Sequence, residues 1–170
     1  ESDLQLEAIG FTQVEALTAD QVEAVVGYAS NEPVKLKAAG QDVNVIYVSD
    51  YAQLAGNGLI TNETTLTEHP ELVQGMVAAI LKGLTDTIAN PDEAFEISKK
   101  YVETLATADE ATANTAREVL AASIKLWEAP ELGVADLGRW EQTQNTLLQM
   151  GLIAEPVDLN AAVTNEFVKP

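Results

Sequence analysis

Three side chains in one short run, Val25 to Pro33 (VVGYASNEP), offer the clearest chemistry: Tyr28, Asn31 and Glu32. Tyr28 brings an aromatic face with a hydroxyl at its edge, a combination suited to a flat polar ring. Asn31 can both donate and accept, whereas an ionised Glu32 only accepts, and a helix starting beside it favours that ionised form. A carboxylate so placed can take a charge-assisted hydrogen bond from a ring N–H or amino group, worth roughly 1.5–3 kcal/mol. The same run has a plain structural reading. Ser-Asn-Glu-Pro ahead of a helix is a cap with a favourably placed charge, and Tyr28 after a buried strand is a core or rim aromatic. Asn57, beside Gly58, is a weaker candidate whose ordinary meaning is a turn. His69 before Pro70 reads as a helix entrance, and Trp127 and Trp140 fall in helical stripes that read as core.

Composition removes several classes of function. Against 9 Lys and Arg stand 27 Asp and Glu, a net charge of -18, which repels phosphate backbones and leaves no basic stripe, so nucleic acid is excluded as a partner. With no cysteine and one histidine, disulfides, thiolate metal sites, a cysteine nucleophile and multi-histidine metal sites are excluded. No spacing among the carboxylates fits a calcium loop, so the acidic excess reads as solvated surface, with no metal and no cofactor expected. A nucleophile, base and orienting group do not appear together at readable spacing. The longest purely apolar run, Met76 to Leu81, is far short of the ~20 residues of a membrane helix, which predicts a soluble chain. No basic stretch followed by an apolar one opens the chain, so a secretion signal is expected to have been removed or to lie outside it.

The candidate residues must be positioned by two unlike parts. Leu4, Leu6 and Ala8 alternate with polar neighbours up to Ile9 and Phe11, predicting a strand. A short helix follows, with Thr12 and Glu15 at capping-box spacing. Val22 to Ala29 is a compact β-branched run of the kind buried on both faces. Asn31, Glu32 and Pro33 open a second short helix that Gly40 can close, and Val43 to Val48 predicts a third strand. This β-α-β-α-β order argues for a small parallel α/β layer. Beyond Gly58 to Thr61, a possible short strand, every periodic segment is helical. Pro70 starts a long helix with a wide apolar face, and Asn90, Pro91 and Glu93 start the next, striped by Ala94, Ile97, Tyr101 and Leu105. A third runs from about Asp109 to Trp127, burying Ala116, Val119, Leu120, Ile124 and Trp127; a fourth is begun by Asp136 and ended by Gly151; a short one starts at Leu159.

This inventory leaves sheet edges and broad helical faces uncovered. It predicts either dimerisation or that the chain is the C-terminal part of a larger two-lobed protein.

The run at Val25 to Pro33 belongs to a set of ordered blocks: DVNVIYVSDY (Asp42 to Tyr51), NGLITNE (Asn57 to Glu63), His69 to Val102, and TNEF (Thr164 to Phe167). Together they resemble the substrate-binding proteins of ABC importers related to thiamine-pyrimidine synthase, over nearly the whole chain but only the C-terminal part of the family's length. The resemblance implies a helix-rich α/β fold, the C-terminal part of a two-lobed Venus-flytrap periplasmic-binding-protein fold with its ligand in the interlobe cleft. Residues 1–56 would be a second-lobe α/β segment, and residues 57–170 the hinge return and helical segment of the first lobe. It implies an extracytoplasmic protein that captures a thiamine pyrimidine precursor or a riboflavin-like heterocycle. An ABC permease in the membrane and the missing N-terminal half of the same protein would be its partners. Tyr28 and Glu32 match positions that hold the heterocycle in the family, with Asn31 and Asn57 as further ligand-binding candidates. The eukaryotic synthase shares this fold but uses a cysteine-rich iron site and a histidine, and the absence of cysteine here departs from it, so no catalytic residue and no enzyme activity are expected. A pyrimidine-synthase-like enzyme or a helical protein-interaction module is the alternative.

Overall fold

Helices begin where a short polar side chain can accept one of the first, otherwise unpaired, helix N–H groups. The computed structural model, which describes residues 4–168, places the caps largely where the sequence puts them. Asn90 caps α5 (Pro91–Ser98) by accepting from the Glu93 N–H, and its amide donates to the Glu93 carboxylate at 2.9 Å. Asp109 caps α7 (Glu110–Trp127), Asp136 caps α8 (Leu137–Gln149) and Asp158 caps α9 (Leu159–Ala162). Gly40, at φ +76°, closes α2 (Glu32–Ala38), and Gly151, at φ +69°, closes α8; both occupy the left-handed region that glycine enters without penalty. The long helix α4 spans Pro70–Ala89.

Several expectations are corrected. At α1 (Gln13–Thr18) the capping box does not form, because the Thr12 hydroxyl donates backwards to the Ile9 carbonyl at 2.7 Å. Two short helices, α3 (Glu63–Glu68) and α6 (Glu103–Ala106), were not legible. The stripe Ala94, Ile97, Tyr101 and Leu105 is broken after Ser98; Tyr101 is exposed, and Phe95, outside that stripe, is the buried residue of α5. In α7 only Ala113 is buried, while Ala116, Val119, Leu120, Ile124 and Trp127 are half-buried.

The strands expected at Leu4 to Phe11, Val22 to Ala29, Val43 to Val48 and Gly58 to Thr61 are not formed: among the described residues there is no β-ladder. A strand is completed only by the N–H and C=O groups of a neighbour, and these segments have none beside them. Their apolar side chains are correspondingly exposed, with Leu6, Phe11, Val26 and Ile60 each at 90% or more. Val48–Asp50 forms a single 3-10 turn instead.

The chain divides into two compact units, each assembled from separated stretches. The first joins the chain up to Val45 with Asn90–Glu128, and the second joins Ile46–Ala89 with the chain from Ala129 onward. In the first unit, α2 packs against α1 and α7, and α5 packs against α7. Its core is Ala16, Leu36, Phe95 and Ala113. The Phe95 ring lies under the Arg117 guanidinium at 4.2 Å and near Lys99 at 5.3 Å, and Glu96 accepts from both cations, at 3.2 Å and 2.8 Å.

Two carboxyls in this unit make it sensitive to acid. Glu96 is held below its ordinary value of 4.5 by the Lys99 hydrogen bond first, desolvation opposing it and the Lys99 and Arg117 charges adding to it. Asp109 is held below 3.8 by hydrogen bonds from Thr112. A depressed carboxyl stabilises the fold fully above its unfolded value and loses that contribution as pH falls through the folded one. Thermal unfolding of the first unit is therefore expected to move downward as pH falls below the ordinary carboxylate values, and less steeply in a Glu96→Gln, Asp109→Asn double variant. Equal steepness in the two proteins would contradict this assignment.

In the second unit α3 packs on α4 and α8 on α9. None of the buried side chains belongs to it among the described residues. Polar bonds tie its segments together: Asn165 accepts from the Ala135 N–H at 2.8 Å and donates to its carbonyl at 3.0 Å. Gln74 donates to the Phe167 carbonyl at 3.0 Å, and the Ala55 N–H donates to Thr143 at 2.8 Å. The 20-residue helix α4, whose most apolar 18-residue window has a mean hydropathy of 1.3, meets the length and composition of a membrane span, as core helices of soluble proteins also do. Leu72 and Met76 are exposed on it, while Val73, Val77, Ile80, Leu81, Leu84 and Ile88 are half-buried.

Candidate functional site

The loop from Gly27 to Glu32 brings three of the four expected residues together. The chain turns over Tyr28 to Asn31, closed by the Asn31 N–H donating to the Tyr28 carbonyl at 2.9 Å. Pro33 then stands in the first turn of α2, which suits its fixed φ. Leu36, one turn further on, is only 3% exposed and anchors the helix in the unit's core.

Glu32 itself is buried, at 8% exposure, without a cationic partner. Its carboxylate folds back over the loop. One oxygen accepts from the Tyr28 N–H at 2.5 Å, and the other accepts from the Asn31 side-chain amide at 2.6 Å. The side-chain cap expected here does not form: Asn31 stands at the N-cap of α2 without a capping bond, and the Glu32 carboxylate instead ties the turn that precedes the helix. Each carboxylate oxygen has two acceptor directions, however, and each uses one here, which leaves acceptor capacity beside the turn. Both backbone polar groups of Tyr28 are engaged within the turn, so its ring, 62% exposed, projects from a braced backbone. The exposed Tyr28 ring can stack on a flat ring, and a carboxylate with acceptor capacity in the same loop can accept from an N–H edge.

Asn57 belongs to the second unit and is exposed. That unit also carries two open depressions. One, of about 370 Å³, is lined by Leu137, Glu141, Gln144, Val157, Asp158 and Asn160; the other, of about 490 Å³, lies between Thr61 to Leu66 and Ala161–Ala162. None of the four candidate residues lines either. No group of three or more metal-ligating side chains is found among the described residues.

Sequence reasoning missed one residue of the loop, Gly27, and one set of bonds, those of Glu32. The double engagement of the Glu32 carboxylate has no signature in composition or spacing. Gly27 has one, as a glycine interrupting a β-branched run, which marks a close approach.

Comparison with known proteins places this loop in context. The chain is 40% identical, over 99% of its length, to the riboflavin-binding protein RibY of Chloroflexus aurantiacus, covering 48% of that protein. It is 28% identical, over 88% of its length, to the formylaminopyrimidine-binding protein of Halalkalibacterium halodurans, covering 46% of it. The chain therefore spans about half the length of these curated relatives. No solved structure matches it. The NMT1/THI5 like family model matches residues 1–94, a stretch that includes Tyr28, Asn31, Glu32 and Asn57, and the chain belongs to the NMT1/THI5-like family.

Proposed function

We propose that this chain is the C-terminal half of a substrate-binding protein that captures a small nitrogen heterocycle and delivers it to an ABC permease without covalent chemistry. The observation that carries the reading is the 40% identity with a riboflavin-binding protein over essentially the whole chain. It favours a riboflavin-like ring over a free pyrimidine, for which the named relative is only 28% identical. Tyr28 supplies the stacking face, Glu32 the acceptor for ring N–H groups, and Asn31 a mixed donor and acceptor beside it. Asn57 is kept as a further ligand contact on the strength of its NGLITNE block alone.

In the whole protein, residues 1–56 contribute to the second lobe and residues 57–170 form the hinge return and the helical part of the first, an assignment that requires α2 to exchange the α7 contact it makes in this chain for partners in the N-terminal half. The segments left without ladder partners here pair with strands of the N-terminal half, giving a two-lobed α/β fold that closes on its ligand by hinge motion. The working place is extracytoplasmic, where such a protein meets both ligand and permease. Mass spectrometry of the small molecule that copurifies with the protein at the full length of its relatives tests this reading. A flavin or a related heterocycle is the expected result. A bound peptide, sugar or metal complex, together with no quenching of riboflavin fluorescence on titration, would overturn it.

A further inference from the structure

Gly27 is exposed and its φ is not in the left-handed region, so neither core packing nor backbone geometry demands a glycine there. It interrupts an otherwise side-chain-rich run, Val22 to Ala29, where glycine weakens extended structure. What demands it is the neighbour across the turn. A Cβ at this position would lie 2.5 Å from the outer Glu32 carboxylate oxygen and 2.8 Å from each of Cγ and Cδ. Those separations fall inside any tolerable contact, and the Glu32 side chain, 8% exposed, has little free volume into which to retreat. The oxygen concerned is the one that accepts from the Tyr28 N–H.

We infer that Gly27 is a positioning residue: the space left by its missing side chain lets the Glu32 carboxylate fold onto the Tyr28 amide, fixing the carboxylate against the backbone that carries the Tyr28 ring. The inference rests on the proposed ligand loop for its functional meaning, but the latch itself is a property of this chain. With the latch formed, the carboxylate is held at the Tyr28 backbone, from which the exposed ring projects. With a methyl group at residue 27, the carboxylate must swing away, the Tyr28 amide loses its acceptor and the turn loses one of its two closing bonds.

The test has two arms. In this chain, hydrogen exchange of the Tyr28 amide is expected to speed up at least tenfold in Gly27→Ala, and not in the control Gly75→Ala, whose added methyl meets nothing within 4 Å. In the protein at the full length of its relatives, riboflavin titration followed by fluorescence quenching is expected to show about tenfold weaker binding for Gly27→Ala. Because Gly27 acts through Glu32, adding Gly27→Ala to Glu32→Ala is expected to weaken binding no further. Unchanged exchange at Tyr28, or effects of the two substitutions that simply multiply, would overturn the inference. Should the unsubstituted protein bind neither riboflavin nor a related heterocycle, the proposed function falls, and the exchange measurement still decides whether the latch exists.

Discussion

Phe95→Ala is expected to destabilise the first unit by about 3–5 kcal/mol, the range for deleting a buried phenylalanine ring. The ring is 3% exposed and sits where α5 meets α7, so its removal leaves a cavity that two helices cannot both close. It also removes the face over which Arg117 lies at 4.2 Å. Arg117 is itself partly exposed, so that contact adds only about 0.5–1 kcal/mol. Phe95→Leu separates the two effects, since it keeps most of the apolar volume and discards the cation–π contact. Because the chain has two units, a single transition is not assured, and the measurement is amide exchange within α5 and α7 in increasing denaturant. Loss of protection across both helices in Phe95→Ala, with most of it retained in Phe95→Leu, is the expected pattern. Equal protection in Phe95→Ala and the unsubstituted chain would mean that the α5–α7 contact is not a core.

Phe95 also shows where the sequence stops being legible. Helix boundaries set by local chemistry were readable: Asn90, Asp109, Asp136 and Asp158 each take a first-turn N–H, and Gly40 and Gly151 each close a last turn. Which face is buried depends on the partner helix, and the stripe through Ala94 and Ile97 missed Phe95, the residue that α7 covers. The strands failed for a related reason. Alternation and β-branching mark a segment as able to pair, but pairing needs a neighbour, and Val26 and Ile60 remain exposed at 90% and 97%. At the candidate site, the start of α2 and the residue types were readable from VVGYASNEP, whereas the turn over Tyr28 to Asn31 replaced the expected end of a strand. The fold-back of Glu32 onto Tyr28 was not readable, because it depends on the absence of one methyl group at Gly27.

Glu32 is the position at which substitution is expected to cost most ligand affinity, and two substitutions there divide the loss. Glu32→Gln keeps the shape. Its carbonyl oxygen can still accept from the Tyr28 N–H, and its amide can donate to Asn31 once the Asn31 amide turns over, so both bonds of the latch are retained. What disappears is the negative charge, which lowers a charge-assisted hydrogen bond to a neutral one and is expected to weaken riboflavin binding about tenfold, roughly 1.4 kcal/mol. Glu32→Ala removes the acceptor and the latch together, leaving the Tyr28 amide and the Asn31 side chain to find water, and about a hundredfold loss is expected. Both variants should unfold close to the unsubstituted protein, since Leu36 and not Glu32 holds α2 in the core. Riboflavin titration of the protein at its relatives' full length reads the two losses directly. If Glu32→Gln and Glu32→Ala weaken binding equally, the carboxylate acts through its charge alone and the latch is irrelevant to the ligand. If neither weakens it, the ring N–H edge is held elsewhere and Glu32 only braces the turn before α2.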